Sequence, residues 1–252
     1  ALAIAAAKAA SLKDQEEKKK INKPSMPTVV LEHLTIDIHR GQCIAIVGPV
    51  GSGKSAFCNT ILREMKKTEG TLSVHGTIAY AAQTAWILNA SIKDNILFGQ
   101  SYDRKRYRKI LDACQLRHDL DVLDDGDETM IGERGINLSG GQKQRVSVAR
   151  AAYSNKDVII LDDPMSALDP EVGHRLFDQC IRGVLREKTV ILVTHSMDIL
   201  TDVDRILVLD VANKKEGDGN GEEAGEQKGA EDKDDMHLVG YVREEGTYQE
   251  LV

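Results

Sequence analysis

The sequence predicts an α/β fold built around a mostly parallel sheet. Residues 43–47 form an apolar run, and after a glycine-rich stretch Phe57 and Ile61 recur at four-residue spacing, which is typical of a strand, a turn and a helix. Residues 158–161 are uniformly apolar, as in a strand buried on both faces, and a further strand is expected at 189–193. Helical patterns separate these runs, so we expect a doubly wound sheet with helices on both sides.

Length and composition indicate a globular domain without the marks of a nucleic-acid-binding or membrane-spanning segment. The 252 residues suffice for one large domain or two small ones. The formal charge is −7, with much of the acidity in one late segment, and no basic stripe suggests a nucleic-acid partner. No apolar run approaches the ~20 residues of a membrane-spanning helix. The chain does not begin with methionine, so we expect a piece of a longer protein.

The four cysteines are widely spaced and form no CxxC pair. They are Cys43, Cys58, Cys114 and Cys180. Such spacing in apolar or helical surroundings favours reduced thiols over disulfides or a metal site.

The first part of the chain predicts an arm followed by strands. Residues 1–27 are alanine-rich and then strongly charged, which is typical of a linker or flexible arm ahead of one domain over 28–252. Residues 29–38 alternate apolar and polar side chains and predict a strand. Two further short strands are expected at 70–74 and 77–81.

The middle and the end of the chain predict a helical insertion, further strands and an acidic segment. Helical spacing over 91–124, and a helix that ends near Tyr153, predict an inserted helical subdomain at about 84–153. A strand is expected at 205–209. Residues 213–236 contain almost nothing apolar, which predicts a disordered insertion, either a solvated loop or a regulatory acidic arm. Order is expected to resume at 238–242, and a short helix near Thr247.

The glycine-rich stretch between the first buried strand and its helix matches the phosphate-loop pattern G-x-x-x-x-G-K-[ST]. It consists of Gly48, Pro49, Val50, Gly51, Ser52, Gly53, Lys54 and Ser55. Glycines let the backbone curl around a polyphosphate so that N–H groups and the helix N-terminus point at the anion. Lys54 would meet the outer phosphates, and the Ser55 hydroxyl is placed to bind Mg²⁺. The stretch therefore predicts nucleotide binding.

The buried strand at 158–161 ends in Asp162. Parallel sheets bind ligands at the carboxyl ends of their strands, so the Asp162 carboxylate is predicted to join the Mg²⁺ shell.

A third element resembles the signature of the ATP-binding cassette (ABC) ATPases. It consists of Leu138, Ser139, Gly140, Gly141 and Gln142, followed by Lys143, Gln144 and Arg145. The resemblance covers about 28–252 outside the acidic insertion. It implies a P-loop NTPase of the ABC ATPase fold, with a mostly parallel sheet, an antiparallel β subdomain and an inserted helical subdomain. Ser139 at a helix N-terminus could also be a simple cap.

Other motifs follow in the order of the same family. The resemblance implies that Gln83 contacts Mg²⁺, that His195 contacts the outer phosphate, and that Phe57 is among the nucleotide-binding positions. The stretch 133–135 resembles the X-loop of exporters. The D-loop would consist of Ser166, Ala167, Leu168 and Asp169. The implied catalytic residues are Asp163, His195 and Gln83, and the implied metal ligands are Ser55, Gln83 and Asp162.

Two positions depart from the pattern of a fully active cassette. The family has Glu after the metal-binding Asp, whereas this chain has Asp163, which withdraws the carboxylate by roughly 1.5 Å. The sequence therefore predicts slow hydrolysis. The family also stacks adenine on an upstream aromatic residue, yet residues 21–30 contain none. Reduced affinity, a distant aromatic residue or a non-native N-terminal sequence would each account for that.

Three features resemble the first nucleotide-binding domain of subfamily C, the multidrug-resistance-associated type. They are the Asp at position 163, the close spacing from Lys54 to Gln83, and the segment from Trp86 to Gly99. Trp86 itself could belong to the core or lie near a membrane domain. The resemblance implies an ATP- and Mg²⁺-binding, weakly hydrolysing cassette at the cytoplasmic face of a membrane. It implies a second cassette and transmembrane domains as partners, and no nucleic acid. A nucleotide-sensing domain of a channel or channel regulator, and a soluble ABC ATPase, are the alternatives.

Overall fold

The computed structural model describes residues 30–132, 135, 137–215 and 236–252. The arm predicted over 1–27 lies outside them. The described strands are β1 (Cys43–Val47), β2 (Ile78–Ala81), β3 (Ala90–Ser91), β4 (Met130–Ile131), β5 (Val158–Asp162), β6 (Thr189–Val193), β7 (Arg205–Lys215) and β8 (Met236–Gly246). The described α-helices are α1 (Lys54–Ile61), α2 (Ile92–Leu97), α3 (Arg104–Ala113), α4 (Arg117–Asp121), α5 (Gly140–Tyr153), α6 (Pro170–Leu176) and α7 (Tyr248–Leu251). The 3-10 helices are Gly126–Glu128 and Leu200–Asp202, and a π-helix spans Phe177–Val184.

A six-stranded sheet in the order β2-β5-β6-β1-β7-β8 forms the centre of the fold. Its neighbouring strands are parallel except for the antiparallel pair β7 and β8 at one edge. A separate two-stranded antiparallel ribbon joins β3 and β4. The predicted α/β class with a mostly parallel sheet is therefore confirmed, and the strands predicted at 158–161 and 189–193 lie inside the sheet as β5 and β6.

The side chains of β5 divide between the two faces of the sheet, which explains the uniformly apolar sequence. Ile159 and Leu161 belong to the core cluster that contains the buried residues of α3 and α5. Val158 and Ile160 belong to the cluster on the α1 side. All five residues of β5 are buried. Because side chains alternate along a strand, burial on both faces favours the unbroken apolar run at 158–161, and Asp162 at the end of the strand is the one polar residue of β5.

The strand predicted over 29–38 is wrong for its described part. From residue 30 onward the chain makes one parallel bridge, at Leu31 to Gly240, and then runs without regular structure. Its apolar residues Leu34, Ile36 and Ile38 still pack partly buried against the α1-side cluster. The alternation therefore indicates burial on one face, although the backbone pairs with β8 only at Leu31 and forms no strand of its own.

The strand predicted at 70–74 is also absent, because β2 pairs with β5 instead of with a hairpin partner. The backbone N–H and the hydroxyl of Thr77 both donate to Asp157 Oδ2 at 2.8 Å, which anchors the start of β2 beside β5. Residues 70–74 are left with no neighbour in the sheet. The strand predicted at 77–81 is confirmed as β2.

Both ends of the segment predicted to be disordered belong to the antiparallel strands β7 and β8. β7 continues to Lys215 and β8 begins at Met236, and these two residues pair. Asn213 and Met236 therefore belong to strands, and 216–235 lie outside the described residues. The strand expected at 238–242 and the helix expected near Thr247 are confirmed, with Thr247 as the N-cap of α7.

Helices α2 to α5 lie within the stretch predicted to be helical, although the limits of a helical subdomain stay a prediction. Arg150 of α5 joins α5 to α2 and to the segment before α2 through hydrogen bonds. Its guanidinium donates to the Asn95 carbonyl and to Asn95 Oδ1, both at 2.8 Å, and to the Trp86 carbonyl at 3.2 Å. Burial lowers the pKa of Arg150 to about 10. Within the described part of the chain, no helix is long and apolar enough to cross a membrane.

We expect Arg150→Lys to lower the free energy of unfolding by about 2–4 kcal/mol. Lysine keeps a charge but cannot present the fork that reaches Asn95 and Trp86, so buried acceptors lose their donors. Urea denaturation would measure the change, with Arg104→Lys on the exposed side of α3 as the matched control. Equal midpoints for the two variants would contradict this role for Arg150.

Candidate functional site

The phosphate loop and two predicted site residues meet at the carboxyl ends of the parallel strands. The loop follows β1, Asp162 ends β5, and His195 follows β6. β1 and β5 flank β6, and the three strands are parallel, so their carboxyl ends lie side by side. The Thr194 N–H donates to the Ile46 carbonyl at 3.2 Å, which ties the start of the His195 segment to β1.

The phosphate loop needs glycine at the positions where the backbone turns back on the protein. A Cβ on Gly48 would lie 2.2 Å from the Leu209 carbonyl oxygen, and Gly48 has φ +151°. Gly51 has φ +88° and faces open space, while the neighbouring Val50 is 91% exposed. The loop is therefore fixed to β7 at its base and open at its tip.

Lys54 donates to the loop it follows. Its Nζ lies 2.8 Å from the Gly48 carbonyl oxygen and 2.9 Å from that of Pro49. Burial lowers the pKa of Lys54, and the attraction of Asp163 and Asp162 opposes that shift. The ammonium is thus held at the mouth of the loop by two carbonyls, which a phosphate oxygen could replace as partners.

The residues of the loop fit a polyphosphate. The Ser52 hydroxyl is fully buried and, among the described residues, has no hydrogen-bond partner. Such an orphaned polar group within a loop of bare N–H donors and a lysine matches an anion with several acceptor oxygens. The Ser55 side chain at the start of α1 is exposed, as a residue that binds an incoming cation has to be.

Asp162 is buried at the end of β5 and receives a hydrogen bond from a neighbouring strand. The Tyr80 hydroxyl of β2 donates to Asp162 Oδ2 at 3.3 Å. Burial and the nearby Asp162 charge raise the pKa of Tyr80, so the phenol stays protonated and remains a donor. Among the described residues, Tyr80 is the one hydrogen-bond donor to that oxygen, which leaves lone pairs for a cation.

Asp163 occupies a left-handed backbone conformation with φ +50°. Its N–H donates to the Val193 carbonyl at 2.9 Å, and its own carbonyl accepts the Ser166 hydroxyl at 2.9 Å. Burial raises the pKa of Asp163, while His195, Lys54 and a hydrogen bond from Gln83 oppose that shift. The structure therefore brings Gln83, Asp163, His195 and Lys54 together, although their roles stay predictions.

The signature motif caps α5 and packs against the D-loop. The Gln142 N–H donates to Ser139 Oγ at 3.2 Å, and the Ser139 N–H donates to Gln142 Oε1 at 2.9 Å, which together form a capping box. A Cβ on Gly141 would lie 2.8 Å from the Ala167 carbonyl oxygen. Ser139 and Gly140 are exposed. Within the described residues, no hydrogen bond or ion pair joins the signature to the phosphate loop.

Two predicted residues prove to have other surroundings. The Phe57 side chain is 6% exposed and belongs to the core cluster with Ile44 and Ile46, so its side chain supports α1 and does not face the loop. Trp86 is 47% exposed, so the core alternative is wrong. Of the segment compared with an exporter X-loop, Gly135 alone is described.

Sequence reasoning missed the residue that supports the phosphate loop from behind, Gly240 of β8. A Cβ there would lie 2.3 Å from the Ser52 carbonyl oxygen and 2.9 Å from Leu31 Cδ2. A glycine within the apolar stretch 238–242 was the available signal, because glycine in a strand often marks a close backbone approach. Tyr80 was also missed, since nothing in its own segment points to Asp162.

Gly240→Ala should lower the free energy of unfolding by about 1–3 kcal/mol, because the added methyl group would push against the Ser52 carbonyl. It should also weaken nucleotide binding, since the loop must shift. Gly173→Ala is the matched control, because its Cβ would meet nothing closer than Met165 Cβ at 3.7 Å. Thermal unfolding and nucleotide titration measure the two effects. A Gly240→Ala variant with unaltered stability and nucleotide affinity would contradict the role of Gly240 in positioning the phosphate loop.

Comparison with known proteins agrees with the geometry. A sequence model of the ABC transporter family matches residues 31–166, more than half of the chain. Human ATP-binding cassette sub-family C member 2 is 52% identical over 178 residues, covering 70% of this chain and 12% of the relative. Human sub-family C member 4 is 47% identical over 72% of this chain and 14% of its own length.

A third relative, ABC transporter C family member 5 of Dictyostelium discoideum, is 51% identical over 70% of this chain. The chain spans only 12% to 14% of the length of these relatives. The match includes the phosphate loop, Gln83, the signature and Asp162, the residues whose geometry is described above. The chain belongs to the ABC transporter family, as a nucleotide-binding domain of the subfamily C type.

Proposed function

We propose that the phosphate loop binds the phosphates of ATP. The observation that carries the proposal is the loop itself, where the orphaned Ser52 hydroxyl, the Lys54 ammonium and the open backbone at Gly51 converge. On binding, Lys54 exchanges the carbonyls of Gly48 and Pro49 for phosphate oxygens. Because ammonium and phosphate are both charged, that exchange gains a charge-assisted hydrogen bond.

Mg²⁺ would be held by Ser55, Gln83 and Asp162, and when bound it supplies charge neutralisation for the outer phosphates. Oxygen donors of this kind are the ligands that Mg²⁺ prefers. Tyr80 keeps Asp162 directed into the site from the neighbouring strand. Gln83 is exposed, so it can turn toward an incoming cation.

We further propose that the site hydrolyses ATP slowly. Asp163 is one methylene shorter than glutamate, and its backbone is fixed by hydrogen bonds to Val193 and Ser166, so the chain cannot shift forward to compensate. A misplacement of about 1 Å in a reacting geometry can cost about 10²-fold in rate. His195 lies close enough to Asp163 to oppose its raised pKa, and it would contact the outer phosphate.

The signature would complete an ATP site on a second cassette. Ser139 and Gly140 are exposed at the N-terminus of the fourteen-residue helix α5, and the residues around them contact the D-loop instead of the chain's own phosphate loop. A helix N-terminus with bare N–H groups suits a phosphate. Head-to-tail pairing of two cassettes would place one ATP between a phosphate loop and a signature, so that ATP joins the two subunits.

The transmembrane domains of an exporter would dock beside the signature, at the cytoplasmic face of a membrane. A cavity of about 480 Å³ lies there, lined by residues that include Ala85, Ile87, Leu138 and Lys143. Trp86 and Phe98 are about half exposed and stack edge to face, with ring centroids 5.6 Å apart. Exposed aromatic residues next to a groove are typical of a protein interface.

Equilibrium titration of the chain with ATP, with Mg²⁺ and with excess chelator, tests the nucleotide site. We expect saturable binding that Mg²⁺ strengthens at least tenfold, because a cation held by Ser55, Gln83 and Asp162 would neutralise charge on the outer phosphates. Binding of equal strength under the two conditions would contradict the metal ligands, and no binding at all would contradict the site.

A further inference from the structure

A groove lined by four basic side chains lies on the far side of the protein from the phosphate loop. It has a volume of about 260 Å³ and is bounded by α3, the end of α5, the end of the π-helix and the turn before β6. The basic side chains are those of Lys105, Arg106, Lys109 and Lys188. The floor is formed by Ile110, Ala152, Val184 and Leu185. We call this feature the basic groove.

The positive charge of the basic groove is largely uncompensated. None of the described residues that line it is acidic. Lys105 and Lys109 are exposed and, within the described part of the chain, have neither an ion-pair partner nor a side-chain acceptor. Arg106 donates to the Tyr153 carbonyl and its guanidinium lies 4.7 Å from the Tyr153 ring centre, so its side chain is fixed in place.

Lys188 completes the set from the opposite wall. Its Nζ lies 3.5 Å from the Asn155 carbonyl oxygen, a neutral acceptor. Asp157 lies near enough to attract Lys188, but both hydrogen bonds of the Asp157 carboxylate described above go to Thr77. The basic groove is therefore positively charged, and the ammonium groups of its lysines have N–H donors available for an anion.

The sequence of α3 supports a role for this charge beyond folding. Five of the six residues 104–109 are Lys or Arg, and they occupy the first turns of the helix. Cations at a helix N-terminus oppose the helix dipole and repel one another, so the arrangement is unfavourable for the isolated helix. Departures from local preference of this kind are expected at binding sites.

The basic groove is separate from the nucleotide site. Asn155 and Lys188 stand just before β5 and β6, whereas the phosphate loop, Asp162 and His195 follow the ends of parallel strands. The basic groove thus lies at the amino ends of β5 and β6, and the nucleotide site lies at the carboxyl ends of the parallel strands. A ligand in the basic groove would leave the phosphate loop accessible.

The size of the groove favours a ligand with dense charge. Four cations around about 260 Å³ can all reach a group that carries two or three phosphates on one small ring. An acidic peptide spreads its carboxylates along about 3.3 Å per residue and turns alternate side chains away, so few of them would enter. We propose that the basic groove binds a compact polyphosphate, such as the head of an inositol phosphate, from either a soluble molecule or a membrane lipid.

Calorimetric titration with inositol trisphosphate tests the proposal on the 252-residue chain carrying Lys54→Ala, which weakens the competing phosphate loop. We expect saturable binding that weakens as salt is added. Lys105→Gln with Lys109→Gln should lower the affinity roughly 25-fold, at about fivefold for each lysine lost. The matched control, Arg104→Gln with Arg108→Gln, removes the same charge from positions outside the groove and should change the affinity less than about threefold.

Two further measurements complete the test. Lys105→Arg with Lys109→Arg keeps the charge and should keep the affinity, which separates loss of binding from loss of folding. Sedimentation with phosphatidylcholine vesicles, with and without phosphatidylinositol bisphosphate, identifies the source of the ligand: tighter binding to the second vesicle assigns a lipid, and tighter binding to the free trisphosphate assigns a soluble molecule. No binding to either probe, or equal losses in the glutamine double variants, would overturn the proposal.

Discussion

Replacing Lys54 with alanine should weaken ATP binding about 30-fold or more. The ammonium is buried at the mouth of the loop, and its partners Gly48 and Pro49 are carbonyls that phosphate can replace. Removing one member of a buried, hydrogen-bonded charge pair costs about 2 kcal/mol or more in binding, which corresponds to about 30-fold in affinity. Fluorescence titration with an ATP analogue would measure the loss.

The control for this variant is Lys66→Ala, which removes the same charge from an exposed position beyond α1. It should leave the affinity within about twofold, because an exposed charge is screened by water and salt. Equal affinities for the Lys54→Ala variant and the unaltered chain would mean that the loop does not hold the phosphates.

The second large effect is expected from Asp163→Glu, which should raise ATP turnover by about 10²-fold. The longer side chain would carry the carboxylate toward the attacking water, and about 2.7 kcal/mol of barrier corresponds to that factor. Position 163 has φ +50°, where aspartate is tolerated better than glutamate. The variant should therefore unfold at a somewhat lower temperature while turning over faster, as phosphate release and thermal unfolding would show.

Asp162→Glu is the matched control, since it adds the same methylene to the adjacent carboxylate. This change would push Asp162 away from Tyr80 and out of its place for the cation, so turnover should not rise and Mg²⁺-dependent binding should weaken. A similar rate increase in both variants would contradict the distinct roles given to the two residues.

The sequence predicted those parts of the fold in which local pattern and tertiary structure agree. The phosphate loop could be identified because β1 and α1 flank it, and β5 and β6 because burial on both faces leaves an unbroken apolar run over 158–161 and over 190–193. Ser139 could be placed at the start of α5 because its cap with Gln142 depends on residues three apart.

The two strand predictions that were wrong lie where the hydrophobic pattern indicates burial but strand formation depends on pairing with a segment distant in sequence. Leu34, Ile36 and Ile38 pack on the core from a segment whose backbone pairs with no strand beyond the single bridge at Leu31, so alternation alone predicted too much. Residues 70–74 failed for the complementary reason, since β2 pairs with β5, which is far away in sequence. Pairing of that kind is decided by the whole sheet and not by a short stretch of sequence.

The candidate site shows the same division. Lys54, Asp162 and Ser139 belong to motifs and were found by spacing. Gly240 and Tyr80 act on the site from other strands, through a close backbone approach and a hydrogen bond across the sheet. The glycine at 240 signals a close backbone approach but not its partner, and nothing near Tyr80 points to Asp162, because both partners depend on which strands become neighbours.

The central claim, an ATP site that binds well and hydrolyses slowly, can be tested by following bound nucleotide and released phosphate together in the unaltered chain. We expect ATP with Mg²⁺ to be retained and recovered largely intact over a period in which the Asp163→Glu variant has converted its bound ATP to ADP. Phosphate release at the same rate in both proteins, or a chain that retains no ATP, would contradict the account.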